Sequence, residues 1–168
     1  MRRAATGTAA RVRQAPRLAP RLELDVSYAS RSPWAPGARL LHTWAAAALS
    51  SSKQPMLLSV RIVGKARSRR LNANYRHKDK PTNVLSFAGA GTLPDGRHFL
   101  GELVICAPVV AMEARTQDKS LRAHWAHMTV HGVLHLQGFD HERSREAAKM
   151  AAREVQILDR LGFSNPYL

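Results

Sequence analysis

The chain has 168 residues, of which 45% are hydrophobic and 23% charged. That is the balance of an ordinary globular domain with enough apolar material for a core, which excludes wholesale disorder. No apolar run approaches the ~18 residues of a membrane-spanning helix, and a lone cysteine, Cys106, excludes an internal disulfide and fits a reducing compartment.

Charge is the strongest global signal. Lys and Arg number 26 against 12 Asp and Glu, a net charge of +14, which points to a polyanionic partner such as nucleic acid, the ribosome or an anionic membrane. Residues 1–22 hold six arginines and no acid. Residues 65–80 hold Lys65, Arg67, Arg69, Arg70, Arg76, Lys78 and Lys80 against Asp79 alone. Clustering of this kind favours a nucleic-acid footprint over a uniformly solvated surface.

Residues 1–20 are rich in Ala, Arg and Pro without a steady period and are expected to form a flexible basic arm. The arm lacks the apolar core of a secretory signal. It reads as a bacterial N-terminal extension in a cytoplasmic protein, with a mitochondrial transit peptide and a matrix location as the alternative. Residues 21–168 are expected to form one domain. Leu22, Leu24, Val26 and Tyr28 alternate with polar residues, the mark of a half-buried strand. A loop with Pro33, Pro36 and Gly37 follows, then a helix over 38–49 and a strand over 57–63. Residues 65–76 predict a basic helix, broken by Pro81. A short strand is expected over 83–87, turn chemistry over 89–96, a strand over 99–106, and a helix from Pro108 to about 117. The strongest helix spans 121–136, with Gly138 as its stop. A last amphipathic helix over 144–161 turns Met150, Val155, Leu158 and Leu161 inward. This order predicts an α+β fold: a four-stranded mixed sheet packed with several helices.

Five of the eight histidines fall between 124 and 141. At about 100° per residue, His127, His131 and His135 share one helical face, with His124 close to it. Imidazoles in an otherwise apolar helix are costly to bury without partners, and a metal ion is such a partner. Within HGVLHLQGFDH (131–141), His131 and His135 are one turn apart, and Gly138 lets the chain reverse so that His141 can return. Three neutral imidazoles with a fourth position open make a catalytic Zn²⁺ site; Cys106 is a distant candidate for a fourth, sealing ligand. The metzincin peptidases space their histidines and glycine in the same way, with a Glu after the first histidine as general base. Here that position is Gly132, so the metal helix is metalloprotease-like while the proteolytic base is missing.

HGVLHLQGFDH resembles the signature of the YbeY family of metal-dependent endoribonucleases and rRNA maturation factors. LNANYRHKDKPTNVLSF (71–87), GELVIC (101–106) and the closing NPY (165–167) are similar to further blocks of that family, so the resemblance runs from about Val60 to the end. It implies one Zn²⁺ per chain on His131, His135 and His141, and a functional Arg76. It also implies single-stranded RNA as substrate, with action at the 3′ end of small-subunit rRNA and in ribosome quality control. His77 and Glu102 stand where the family commonly has Gly and Asp, and the 65–76 helix is more basic than usual.

Chemically, the forked Arg76 is suited to hold a phosphate and offset developing charge; its alternative is a surface pair with Asp79. Lys65, Arg67, Arg69, Arg70, Lys78 and Lys80 would guide the RNA backbone. Asp140, Glu142 and His127 are candidates for the general base or for orienting the ligand imidazoles. Two rival functions remain at this stage: a zinc hydrolase of another bond, and a ribosome assembly factor whose zinc is structural.

Overall fold

The computed structural model describes residues 21–29, 35–140 and 142–168. The arm expected over 1–20, and His141, lie outside the described residues. In chain order the elements are β1 (Leu22–Tyr28), α1 (Ala38–Ala48), β2 (Met56–Val63), α2 (Lys65–Arg76), β3 (Val84–Thr92), β4 (His98–Cys106), α3 (Ala107–Thr116), α4 (Leu121–Leu136) and α5 (Ser144–Arg160). The strands form one mixed sheet in the order β1-β2-β4-β3. β1 and β4 run parallel to β2, and β3 runs antiparallel to β4 as an edge strand. No described helix is long and apolar enough to cross a membrane.

Strand alternation sends side chains to both faces of the sheet. Leu58, Val60, Ile62, Leu103 and Ile105 join the larger core with Leu41, Trp44, Trp125, Leu134 and Ile157 from α1, α4 and α5. Val63, Leu85, Val104 and Cys106 form the smaller core with Val109, and Leu71 of α2 and Phe87 pack against it. Cys106 therefore lies on the face away from α4, so it cannot be a fourth ligand beside the histidines.

α4 is the central helix, packed against α1, α3, α5, β3 and β4. Ser120 caps its start, the hydroxyl accepting from the Ala123 N–H at 3.1 Å. Gly138 ends it at φ +91°, a conformation that favours glycine. Gly132 faces the sheet. A Cβ there would lie 2.8 Å from Leu103 Cδ2 and 3.3 Å from Val84 Cγ2, so the missing side chain lets α4 approach β3 and β4 closely.

Three expectations need correction. β3 does not stop at 87 but continues to Thr92, and the turn shrinks to a loop in which the Leu93 N–H bonds Arg97 O at 2.7 Å. Gly89 belongs to the strand: the ladder shifts register between Ala88 and Gly91, and a Cβ on Gly89 would sit 2.0 Å from Phe99 O. On α5 the fully buried positions are Met150, Glu154, Ile157 and Leu158, while Val155 and Leu161 are half-buried. His77 adopts φ 58° as the cap that closes α2, and such a left-handed cap is the place glycine fills without steric cost.

Gly89→Ala should destabilise the protein by about 1–3 kcal/mol in urea denaturation, as an overpacked site does. Unchanged stability would contradict the close backbone approach.

Candidate metal centre

The histidines of α4 stack as expected. Ring centroids are 6.2 Å apart between His124 and His127, 6.2 Å between His127 and His131, and 4.6 Å between His131 and His135. Their surroundings divide them into two sets. His124 Nε2 lies 2.7 Å from Glu113 Oε2, and Asn83 Nδ2 donates to the same carboxylate at 3.1 Å. Burial raises the Glu113 pKa, but these hydrogen bonds outweigh it and leave it below the ordinary value. His124 is thus tied to α3 rather than to the histidines further along its helix.

The other set converges on Glu154 of α5, whose side chain is 0% exposed. His131 Nδ1 lies 2.5 Å from its Oε1 and His127 Nε2 lies 3.3 Å from its Oε2. The Tyr167 hydroxyl donates to Oε2 as well, and its ring meets His127 edge-on at 5.6 Å. Burial is the largest influence on Glu154 and pushes its pKa up. The hydrogen bonds from His127, His131 and Tyr167 together prevail and hold it at about 2. Burial and then the adjacent Glu154 raise the Tyr167 pKa.

An ionised carboxylate only accepts, so the proton of His131 sits on Nδ1 and its Nε2 keeps the lone pair. That Nε2 faces His135 Nε2 at 3.1 Å. Two imidazole nitrogens on one tetrahedral zinc, each at about 2.0–2.1 Å, stand about 3.3–3.4 Å apart. The pair therefore fits a shared zinc ion on the side away from Glu154. His127, His131 and Glu154 also offer ligand atoms within 4.8 Å of one another. Three donors already engage that carboxylate in a fully buried position, so it is better suited to orient an imidazole than to bind an ion itself.

His131 and His135 line a cavity of about 660 Å³ together with Arg76, Lys78 and Lys80. Asp140 and Glu142 line it too, the Glu142 N–H donating to Asp140 Oδ1 at 3.0 Å. Arg76 is not paired with Asp79. That acid is taken by a bidentate contact with Arg69, 2.7 Å at each oxygen. The predicted basic footprint is thereby split: Lys65, Arg67, Arg69 and Arg70 are exposed on α2 and do not line the cavity, whereas Arg76, Lys78 and Lys80 do.

Sequence reasoning missed Glu154 and Glu113. The signal for Glu154 was present: it sits one turn after Met150 and one turn before Leu158, a carboxylate in the middle of an apolar stripe. Tyr167 figured only as part of a family-like ending, and its contact with Glu154 was not foreseen.

The folded-state pKa of Glu154, about 2, lies below the unfolded value of about 4.3. Its contribution to stability is therefore present above pH ~4.3 and drains away as pH falls toward 2. Urea denaturation of the metal-free protein should show wild type losing stability across that window more steeply than Glu154→Gln. Equal slopes would contradict the ionised, multiply bonded carboxylate.

The chain is similar in fold to the solution structure of TM1509 from Thermotoga maritima, with a TM-score of 0.54 and 20% identity, covering 83% of this chain and 89% of that one. A sequence model of the family described as Endoribonuclease YbeY matches residues 37–162, a span that includes β2, α2, the edge strand β3, and the helix bearing His131 and His135. The chain belongs to the YbeY endoribonuclease family.

Proposed function

We propose that this chain is a zinc-dependent endoribonuclease that cuts single-stranded RNA, acting with the ribosome in maturation of the small-subunit rRNA 3′ end and in ribosome quality control. Family membership supports RNA cleavage in rRNA maturation. The observation that carries the metal-dependent reading is the pair of facing imidazole nitrogens on His131 and His135, 3.1 Å apart, beside a cavity that also holds Arg76.

His131, His135 and His141 are the proposed ligands of one zinc ion per chain. Such an ion supplies Lewis acidity and makes a water nucleophile available near neutral pH. Glu154 holds the His131 proton on Nδ1 and so aims its Nε2. Arg76, permanently charged and forked, grips a phosphate and offsets charge developing there. Lys78 and Lys80 draw the sugar-phosphate backbone into the same cavity. Asp140 and Glu142 line the cavity and are the proposed candidates for the general base.

A peptidase reading requires a carboxylate where Gly132 stands. A Cβ there would meet Leu103 and Val84 on the sheet, and the glycine itself supplies no carboxylate to act as a base.

Metal analysis paired with cleavage of single-stranded RNA tests the proposal. Wild type should hold one zinc per chain and cut RNA. His131→Ala should lose both zinc and cleavage. Arg76→Ala should keep zinc while cleavage falls by about 10²–10³-fold, the loss of one charge-stabilising group. Zinc affinity of Glu154→Gln, read by chelator competition, should fall by about 10–100-fold. Full RNA cleavage by His131→Ala, or cleavage of casein but not RNA by wild type, would overturn the assignment.

A further inference from the structure

The sheet ends at β3, and its free edge borders the histidine cavity. The Cys106 N–H bonds Asn83 O at 2.8 Å, so Asn83 and Cys106 form a hydrogen-bonded antiparallel pair. Such pairs alternate along a ladder. With the observed register, Leu85–Val104 and Phe87–Glu102 are the next hydrogen-bonded pairs, and Val84, Ser86 and Ala88 turn their backbone groups away from β4. The Val84 N–H is taken by Asn83 Oδ1 at 2.7 Å. Ser86 and Ala88 remain, two outward N–H groups about 6.8 Å apart, and both residues line the cavity with His131 and His135.

Their position relative to α4 is fixed. The Ser86 hydroxyl donates to Gly132 O at 3.3 Å, which seats this stretch of β3 beside the turn that carries His131. An open strand edge is a template for an extended chain, and its charge surroundings select which kind. Arg76, Lys78 and Lys80 share this cavity, against Asp140 and Glu142. An anionic single strand matches a row of N–H donors set among cations better than a peptide does.

We infer that the free edge of β3 is the substrate track: the backbone N–H groups of Ser86 and Ala88 hold successive phosphate oxygens of single-stranded RNA and lay the strand across the His131–His135 pair. This rests on the ribonuclease reading above and adds to it the element that binds substrate. Recognition through main-chain donors is independent of base identity, so the track grips RNA without selecting sequence.

Site-resolved amide exchange of the metal-free full chain, alone and with a short oligouridylate, tests the inference directly. The Ser86 and Ala88 amides should exchange fast in the free protein and be protected by the RNA, while Leu85 and Phe87 stay protected in both. In parallel, Ala88→Pro deletes one outward N–H at an edge position where proline is tolerated. It should weaken oligouridylate binding by about tenfold, the loss of one hydrogen bond to a charged acceptor. RNA bound with no new protection at Ser86 and Ala88 would overturn the track and leave the ribonuclease reading standing. Failure of wild type to bind oligouridylate, with protection of the same amides by an extended peptide, would overturn both.

Discussion

The site depends on one buried carboxylate. Glu154 stands between two turns of α4 and the C-terminal segment, accepting from His131, His127 and Tyr167. Taking a charge out of water is expensive, and only a full set of donors offsets it. Once offset, the charge dictates the rest. It sets the tautomer of His131, holds that ring against rotation, and presents the opposite nitrogen to His135. Binding geometry on one side of the imidazole is thus decided by hydrogen bonding on the other.

This constraint reaches into the fold through α4. The helix is enclosed by α1, α3, α5 and the sheet, so its polar residues survive only with partners. Glu113 from α3 serves His124, and Glu154 from α5 serves His127 and His131. Gly132, on the sheet-facing side, brings the same helix close enough to β3 that Ser86 bonds its backbone. One helix therefore joins the carboxylate that orients the imidazoles to the strand edge beside which a substrate would lie. The position that holds a catalytic Glu in metzincins is here part of that close packing, which separates the chemistry of two sites with similar histidine spacing.

Much of this was legible in the residues. The sequence predicts α2 over 65–76 and α4 over 121–136 with Gly138 as its stop, and both helices have those bounds. The histidine stripe follows from helical periodicity alone. Legibility failed where long-range packing decided the outcome. The glycines at 89 and 91 look like turn residues, yet Gly89 is demanded by the Phe99 carbonyl across the ladder, a contact no local pattern encodes. Val155 fits an apolar face on α5, but the helix is rotated so that Glu154 faces the histidines. A pair with Asp79 is the alternative role for Arg76, and Arg69 holds that acid instead. That leaves Arg76 beside the cavity.

The orientation of His131 is the central claim, and nitrogen NMR of the imidazole rings in the metal-free protein, at a pH where they are neutral, reads it directly. His131 should appear as the Nδ1–H tautomer with an unprotonated Nε2, and Glu154→Gln should mix the two tautomers. A wild-type His131 protonated on Nε2 would mean that Glu154 does not set the ring, and the facing nitrogens of His131 and His135 would no longer describe a metal site.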